Sequence, residues 1–344
     1  MRRVLLPHQI DAEPPPADGV LREYSGHSMG TSWSVRLVAG PALPALQAGL
    51  QAQLDAVVAQ MSHWEAESDL GRFNRAPAGS WQPLPAAFFD VLAFALEVAV
   101  ATRGAYDPCA GALVNLWGFG PQGRFAAPGF APPSAPQVAA ALARHTQQRA
   151  AFKLDHVSRR ALQPGGLQLD FSAVAKGYAV DRLAFFLQSQ GVRHFLVEVG
   201  GELRGAGVKP DGQPWWVALE QVSDVAPDNG PAPLVLALHG LAVATSGDYR
   251  RYFHAPGAAA SQRYSHTIDP RRAAPISNQL ASVTVLHPQC MAADAWSTAL
   301  TVLGPLDGLA LAERHGLAAR FVLRSATGLS EILSSALHAM LDDE

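Results

Sequence analysis

An aspartate and a threonine lie one helical turn apart in the C-terminal third of the chain. The apolar pattern predicts a helix over Ala292–Val302, and Asp294 and Thr298 occupy positions i and i+4 within it. Side chains at that spacing share one helical face, so their oxygens can bind one hard cation such as Mg²⁺. Taken alone, the pair fits a plainer interpretation better, an acid favoured by the helix dipole and an ordinary surface threonine.

A second candidate group surrounds a lysine in the middle of the chain. A strand is predicted over Leu167–Phe171, and Ser172 is expected to cap the helix that follows. Asp170 then stands at the strand end, and Lys176 stands near the helix N-terminus, where anions are favoured. A lysine there can neutralise a diphosphate, and carbonyl groups near Ala173 can add a metal ligand. A surface lysine beside a capped helix is the alternative interpretation.

Two further segments carry polar groups of catalytic type. Gly200-Gly201 follows a predicted strand and permits close approach of the backbone to a ligand. Ser246 and His266 raise the question of a serine hydrolase. Neither Ser246 nor the serine directly before His266 lies in a G-x-S-x-G turn, however. His266 is better suited to act as a general base or to bind phosphate. A lone histidine is nevertheless most often structural.

These groups are positioned by helices and strands that alternate irregularly, which is typical of an α+β fold. No internal repeat is present. The predicted helices are 46–61, Pro85–Thr102, Ser172–Gln190 and Ala292–Val302, and the predicted strands are Thr31–Val38, Leu167–Phe171, His194–Val199, Trp215–Leu219, Leu234–Leu238, Leu241–Ala244 and Ser282–Leu286.

Composition excludes several classes of protein. The net charge of −3 gives no basic field, so nucleic acid is not an expected partner. Two distant cysteines, Cys109 and Cys290, form neither a disulfide framework nor a zinc motif. No segment has the apolar length of a secretory signal or a membrane span, so the chain is expected to be cytoplasmic. Residues 1–20 are expected to be a disordered lead-in to one domain over 21–344.

The order of the motifs resembles the ApbE family, over about residues 24 to 304. The matching blocks, in chain order, are Met29-Gly30-Thr31, Met61-Ser62, Ser68–Asn74, Asp107-Pro108, Asn115–Gly120, Asp170–Tyr178 with Asp181, Gly200-Gly201, Thr245-Ser246-Gly247, His266–Pro270, and Ala293-Asp294-Ala295 with Thr298. Family members are FAD:protein FMN transferases. They split FAD at its diphosphate, attach FMN through a phosphoester to a Thr or Ser of a target flavoprotein, and release AMP.

The resemblance also implies a fold and a set of site residues. The fold would be an α+β body related to the T-fold, with mixed and antiparallel sheets, packed helices and FAD in a central cleft. Asp294, Thr298 and the carbonyl of Ala173 would bind Mg²⁺, and His266 with Asp294 would be catalytic. The residues that match FAD-contacting positions are Met29, Trp64, Ala105, Tyr106, Asp107, Asp170, Lys176 and Ile268.

The chain departs from the family pattern at a few positions. The family often has Arg-Thr-Gly after the Asp-Pro, whereas this chain has Arg271-Arg272-Ala273-Ala274, so this loop is expected to differ in shape. Glu198 replaces a common Asn, Cys109 a common Thr and Ser172 a frequent Gly. None of these changes removes a metal ligand. Many relatives are exported lipoproteins, and this chain shows no such signal.

Two other functions fit the same residues. An FAD diphosphatase would use water in place of the protein hydroxyl and release FMN and AMP from a nearly identical site. A non-catalytic protein that merely holds FAD is the second, although pure binding would require neither the metal-binding pair Asp294 and Thr298 nor His266. Product analysis with an acceptor protein, with and without Mg²⁺, separates the three.

Overall fold

The computed structural model describes residues 3–10, 13–40, 46–222, 230–254, 263–325 and 328–342. Their contacts divide the chain into two compact units. The first unit contains the described residues of 1–56, 174–247 and 279–344. The second contains those of 57–173 and 248–278. Each unit is therefore assembled from separate stretches of sequence.

The helices and strands are numbered along the chain. The helices are α1 (Gln47–Met61), α2 (Asp69–Arg75), α3 (Ala86–Ala101), α4 (Gly111–Leu116), α5 (Ala135–Ala151), α6 (Ala175–Ser189), α7 (Cys290–His315) and α8 (Ser335–His338). The strands are β1 (Arg3–Leu5), β2 (Val20–Ser28), β3 (Thr31–Ala39), β4 (Ser80–Pro83), β5 (Phe119–Gly120), β6 (Gly123–Arg124), β7 (Lys153–Asp155), β8 (Arg160–Gln163), β9 (His194–Val199), β10 (Glu202–Ala206), β11 (Trp215–Ala218), β12 (Leu234–Leu238), β13 (Leu241–Gly247), β14 (Tyr252–His254), β15 (Arg263–Ser265), β16 (Ile268–Asp269), β17 (Ala274–Pro275), β18 (Leu280–His287), β19 (Ala318–Ser325) and β20 (Gly328–Leu333).

An eight-stranded sheet is the framework of the first unit. Its strand order is β2-β3-β9-β10-β13-β18-β19-β20, and every neighbouring pair is antiparallel. Helices α6 and α7 pack against each other and against the central strands. Seven of the eight residues of β18 are buried, as expected for a strand covered on both faces. This packing fixes where the N-termini of α6 and α7 meet.

A smaller sheet corrects the prediction for the start of the chain. Arg3–Leu5 forms a strand that runs parallel to Leu234–Leu236, and Leu5 is fully buried in a leucine-rich cluster. The predicted disordered lead-in over residues 1–20 is therefore wrong for this strand, since burial of an apolar side chain and a backbone ladder stabilise it. The Pro-rich composition of the stretch that follows indicated disorder, and the prediction extended that disorder to this short apolar segment.

The second unit combines four helices with short antiparallel ladders. Its pairings are β4-β8-β7, β5-β6, β14-β15 and β16-β17. An aromatic cluster connects α4 to the later strands, and within it the rings of Phe125 and Phe253 stack at 5.4 Å between centroids. Trp117 Nε1 donates a hydrogen bond to the carbonyl of Ala273 at 2.8 Å. The stretches 57–173 and 248–278 are thus joined through apolar and aromatic contacts.

The α+β fold class is confirmed, and so are most of the predicted elements. The strand predicted over Leu167–Phe171 is wrong, because only an isolated bridge between Ala110 and Gln168 forms there. Ser172 does not cap α6; the N-cap position is Val174. The helix predicted to stop at Gly304 is interrupted there, with a φ of 83°, but helical structure resumes and ends at His315. None of the described helices is long and apolar enough to cross a membrane.

The loop that departs from the family keeps a backbone conformation suited to glycine. Ala273 has a φ of 50° and is fully buried. This left-handed conformation costs an alanine roughly 1 kcal/mol or more. The alanine therefore stands in a position whose geometry favours the glycine that the family often has.

We expect Ala273→Gly to change the free energy of unfolding very little. Relief of left-handed strain, about 1–2 kcal/mol, offsets most of the combined cost of the lost methyl group and the extra entropy of the unfolded chain, which are about 1 kcal/mol each. Ala95, fully buried in the right-handed helix α3, is the matched control. Ala95→Gly should cost roughly 2 kcal/mol in urea denaturation, since nothing offsets its losses. Equal losses in both variants would contradict the strain at Ala273.

Candidate functional site

The N-terminal ends of α6 and α7 cross at a glycine in the first unit. A Cβ atom on Gly177 would lie 2.3 Å from the carbonyl oxygen of Cys290 and 2.8 Å from Cβ of Asp294. The backbone N–H of Gly177 donates a hydrogen bond to Oδ2 of Asp294 at 3.0 Å. Because only glycine permits this approach, the crossing fixes the orientation of the Asp294 carboxylate.

Asp294 is a buried acid, with 3% of its surface exposed. Burial raises the pKa of this carboxyl group, and the charge of Lys176 and the Gly177 hydrogen bond oppose the rise only in part. The ionised carboxylate is therefore incompletely compensated by the protein. A carboxylate in this condition is suited to binding a cation, which would supply the missing positive charge.

Two hydroxyl groups follow Asp294 along α7 and meet a third on β13. The Oγ of Ser246, on β13, is 2.8 Å from Oγ1 of Thr298 and 3.1 Å from Oγ of Ser297. Carboxylate and hydroxyl oxygens are the hard donors that Mg²⁺ accepts. The side chains in the first unit thus fit the predicted metal in chemical type.

Lys176 is held by an acid that the sequence did not single out. Its ammonium group pairs with the carboxylate of Glu202, which is 2% exposed. Glu202 directly follows the Gly200-Gly201 turn, so the turn brings this acid to the lysine. Oε1 of Glu198 accepts a hydrogen bond from the N–H of Gly201 at 2.6 Å, and this departure from the family pattern therefore anchors the turn.

Two other residues that the sequence indicated in the first unit, Met29 and Asp181, lie in a hairpin turn and at the start of a helix. Met29 and Gly30 both have positive φ and join β2 to β3 in a two-residue hairpin turn. Asp181 accepts hydrogen bonds from the backbone N–H groups of Cys290 at 3.0 Å and Met291 at 2.9 Å. It therefore satisfies the N-terminus of α7, the helix that carries Asp294.

In the second unit, charged side chains surround an exposed indole. The Trp64 side chain is 43% exposed, and the guanidinium groups of Arg124 and Arg251 lie 5.4 and 5.9 Å from its ring centroid. Burial lowers the pKa of the Arg251 guanidinium. The charge of Asp170 opposes this decrease, and the charge of Arg124 adds to it. Nδ1 of His63 lies 3.5 Å from Oδ1 of Asp170. Guanidinium groups, which can bind phosphate, therefore lie next to an aromatic ring that can stack on a ligand ring.

Asp170 also shapes its own loop. Its Oδ1 accepts hydrogen bonds from the backbone N–H of Ser172 at 2.7 Å and from its hydroxyl at 2.6 Å. Ala173 follows in the turn that precedes α6. The serine that replaces the family's frequent glycine thus adds a hydrogen bond to the predicted FAD-contacting acid.

The Ala105–Asp107 stretch is buried and firmly held. Ala105 is 1% and Tyr106 is 4% exposed. The Asp107 carboxylate lies 3.3 Å from Nε2 of His145 and 3.3 Å from Nε of Arg149, both on α5. Burial alone would raise the pKa of Asp107, but the His145 hydrogen bond and the Arg149 charge lower it below its usual value. Asp107 is therefore an ionised acceptor.

The hydrogen-bond partner of His266 determines which of its ring nitrogens carries the proton. Nδ1 lies 3.0 Å from the backbone carbonyl of Arg251, and a carbonyl can only accept a hydrogen bond. Nδ1 therefore carries the proton, and in the neutral ring Nε2 holds the lone pair of a base. Ile268 belongs to the aromatic cluster of the second unit, and its side chain is 7% exposed.

Comparison with known proteins identifies the family. A family model described as the ApbE family matches residues 29–321. The chain belongs to the ApbE family. A Klebsiella pneumoniae (strain 342) protein named FAD:protein FMN transferase is 35% identical over 323 residues, 93% of this chain and 89% of that protein. One of the same name from Salmonella typhimurium is 36% identical over 313 residues, 90% of this chain and 86% of that protein.

Solved structures agree with this assignment. The apo crystal structure of the Pseudomonas stutzeri flavinyl transferase ApbE has a TM-score of 0.82 and 40% identity, covering 94% of this chain and 97% of that chain. The flavin transferase ApbE from Vibrio cholerae has a TM-score of 0.82 and 32% identity, covering 94% of this chain and 99% of that chain. The protein therefore has the ApbE fold and is a transferase.

Sequence reasoning missed several residues of this ApbE protein that hold the predicted ones. Glu202, His63, Arg251 and His145 each contact a residue that the sequence indicated. Glu202 had a local signal, since an acid directly follows the paired glycines. The other three had none, because their partners lie far away along the chain.

We expect Gly177→Ala to destabilise this ApbE protein by about 1–3 kcal/mol, the usual cost of overpacking. The added methyl would collide with the backbone of Cys290, so α6 and α7 would have to separate and Asp294 would lose its hydrogen bond. Urea denaturation measures the loss. Gln188→Ala, at an exposed position of α6, is the control and should be nearly neutral. Equal stability of the two variants would contradict the close crossing.

Proposed function

We propose that this protein is a Mg²⁺-dependent FAD:protein FMN transferase. It would cleave the diphosphate of FAD, attach FMN through a phosphoester to a Thr or Ser of a target flavoprotein, and release AMP. The observation that carries the proposal is the buried carboxylate of Asp294, which Gly177 holds one helical turn before Thr298. Family membership gives this arrangement its reaction.

Asp294, Thr298 and the carbonyl of Ala173 are the proposed ligands of Mg²⁺. The hard oxygens in this set and the incompletely compensated charge of Asp294 support the assignment. When bound, the ion would polarise the diphosphate and stabilise negative charge on the leaving AMP. The protein's own part is to hold Asp294 in one orientation, through Gly177 and the packing of α6 on α7.

Lys176 is proposed to neutralise the diphosphate of FAD. In the structure its charge is compensated by Glu202, so it is positioned before a ligand arrives. Met29, Trp64, Asp170, Ile268 and the Ala105–Asp107 stretch are the other proposed FAD contacts. The exposed indole of Trp64 suits stacking on a ring, and the ionised Asp107 suits an amino group.

His266 is proposed to accept the proton of the acceptor hydroxyl. Its Nδ1–H is anchored on the carbonyl of Arg251, which leaves Nε2 as the basic nitrogen. As the acceptor oxygen bonds to the FMN phosphorus, the bond from that phosphorus to the bridging oxygen breaks. The electron pair leaves with AMP, and the proton passes to His266.

The test combines purified protein, FAD, Mg²⁺ and a candidate acceptor flavoprotein with an exposed Thr-containing segment. The expected result is a gain of one FMN in the acceptor's mass, with equimolar AMP, that a chelator prevents. Free FMN and AMP beside an unmodified acceptor would indicate a diphosphatase instead. Intact FAD that remains bound would indicate a flavin-binding protein.

A further inference from the structure

Three hydroxyl groups connect Thr298, a proposed metal ligand, to a strand of the large sheet and back to the helix backbone. Oγ of Ser246, on β13, lies 2.8 Å from Oγ1 of Thr298 and 3.1 Å from Oγ of Ser297. Ser297 Oγ in turn donates a hydrogen bond to the carbonyl oxygen of Asp294 at 2.9 Å. The packing of α7 on β13 holds the three side chains together.

The direction of each of these hydrogen bonds follows from the carbonyl group. A carbonyl oxygen can only accept, so the single hydroxyl proton of Ser297 is committed to Asp294. Ser297 must then accept from Ser246, and this bond uses the single hydroxyl proton of Ser246. Ser246 can therefore only accept from Thr298. All three bonds form at once in this arrangement and in no other, and it directs the Thr298 proton toward the sheet.

Thr298 differs in this respect from the next threonine of the same helix. Thr301 donates to the carbonyl oxygen of Ser297, four residues earlier, at 2.7 Å, a bond that helical serines and threonines commonly make. The corresponding acceptor for Thr298 is the carbonyl of Asp294, and Ser297 donates to that group instead. Among the described residues no group donates to Thr298 Oγ1. Both lone pairs of this oxygen are therefore available for a cation.

The register of β13 places Ser246 on the face of the sheet that α7 covers. Ser246 pairs with Val283 of β18, and the preceding Thr245 pairs with Thr284. Successive side chains of a strand point to opposite faces, so Thr245 lies on the other face, where its Oγ1 is 2.9 Å from Oγ1 of Thr284. Two neighbouring residues of one strand therefore make hydroxyl–hydroxyl bonds on opposite faces, and of the two Ser246 is the one that meets α7.

We propose that Ser246 is a positioning residue for the Mg²⁺ site. It holds the hydroxyl proton of Thr298 toward the sheet and so leaves the lone pairs of that oxygen to the ion. This inference rests on the proposed function, in which Thr298 is a ligand of Mg²⁺. Without Ser246, the Thr298 hydroxyl is free to turn to the carbonyl of Asp294, as Thr301 turns to the carbonyl of Ser297. That bond would compete with metal binding.

Ser246→Ala tests the inference through the affinity for Mg²⁺. The variant keeps Asp294 and Thr298 but removes the partner of the Thr298 proton. Mg²⁺ is titrated calorimetrically into the protein with saturating ADP, a diphosphate that carries no flavin to transfer. The dissociation constant of Mg²⁺ should rise roughly three- to tenfold, the equivalent of one hydrogen bond. In FMN transfer, the Mg²⁺ concentration at half-maximal rate should rise by the same factor, whereas the rate at saturating Mg²⁺ should stay near normal.

Thr245→Val is the matched control, because it removes the hydroxyl of the neighbouring residue and its bond to Thr284 on the other face of the sheet. It should lower the melting temperature about as much as Ser246→Ala does but leave the affinity for Mg²⁺ unchanged. A merely structural role of Ser246 predicts the same behaviour for both variants. If Ser246→Ala does not fold, Ser246→Cys gives the same expected loss of affinity, since a thiol is only a weak acceptor.

The possible results separate this inference from the proposed function. Unchanged Mg²⁺ affinity in the folded Ser246 variants, or an equal loss of affinity in Thr245→Val, would overturn the inference and leave the proposed function standing. No Mg²⁺ binding by the unchanged protein, with ADP or with FAD, would overturn the inference together with the metal assignment. If Ser246→Ala weakens Mg²⁺ binding as expected but the unchanged protein transfers no FMN, the inference holds and the proposed function fails.

Discussion

Asp294→Asn is expected to abolish FMN transfer while raising the melting temperature of the ligand-free protein. The amide is nearly isosteric and can still accept the hydrogen bond from Gly177, so the crossing of α6 and α7 is preserved. It carries no charge, however, and with its oxygen facing Gly177 it turns an NH₂ group, which offers no lone pair, toward the proposed metal position. Burial raises the pKa of Asp294, so the buried charge is a cost to the folded state that asparagine avoids.

The two effects are measured separately. Transfer is followed by the mass of the acceptor, and stability by thermal melting with and without Mg²⁺ and FAD. We expect the unchanged protein to be stabilised by Mg²⁺ in the presence of FAD, whereas Asp294→Asn is not. Asp307→Asn makes the same change at an exposed position of α7 and should alter neither quantity. Transfer at the normal rate by folded Asp294→Asn would refute the metal assignment.

Local patterns in the sequence predicted the parts of the site that local geometry determines. Asp294 and Thr298 share a helical face whatever surrounds the helix, so their spacing alone placed them together. The contact between Gly177 and Asp294 depends on the packing of two helices that are distant in sequence. The same holds for Arg251 beside Trp64. No single sequence carries a local signal for such tertiary contacts.

The wrong strand at Leu167–Phe171 has a specific physical cause. Leu167, Leu169 and Phe171 are all buried, so the alternation that predicted a strand is real. Side chains replace the missing partner strand. Gln163 accepts from the N–H of Leu167 at 3.1 Å and donates to its carbonyl at 3.0 Å, and Asn74 serves Leu169 in the same way. Periodicity reports burial, and it cannot show whether a ladder or an amide side chain satisfies the backbone.

In α7 the sequence predicted an end to the helix where the helix in fact continues. Gly304 and Pro305 are a strong stop signal, and the backbone at Gly304 is indeed non-helical. Proline is nevertheless favoured in the first turn of a helix, where its missing N–H needs no partner. A helical segment therefore begins again at once, and α7 continues to His315. The Gly304-Pro305 pair therefore predicted the interruption of the helix. Whether the helix continues beyond it depends on tertiary packing.

His266→Asn is expected to lower the rate of transfer by about 10²–10⁴-fold, the usual contribution of a general base. The asparagine amide nitrogen occupies roughly the place of Nδ1 and can still donate to the carbonyl of Arg251, so the loop keeps its anchor. What is lost is the basic Nε2. FAD binding should therefore persist while the transfer step slows.

A purely structural histidine would give a different result. Because asparagine preserves the anchoring hydrogen bond, a structural role predicts nearly normal transfer in His266→Asn and a loss only when His266→Ala removes the bond. His254→Asn, at an exposed position of β14, controls for the substitution itself and should transfer normally. The rate of transfer under saturating FAD and acceptor distinguishes the two roles, since it separates proton transfer from binding. Equal losses in the alanine and asparagine variants, with FAD affinity unchanged in both, identify Nε2 as the group that acts.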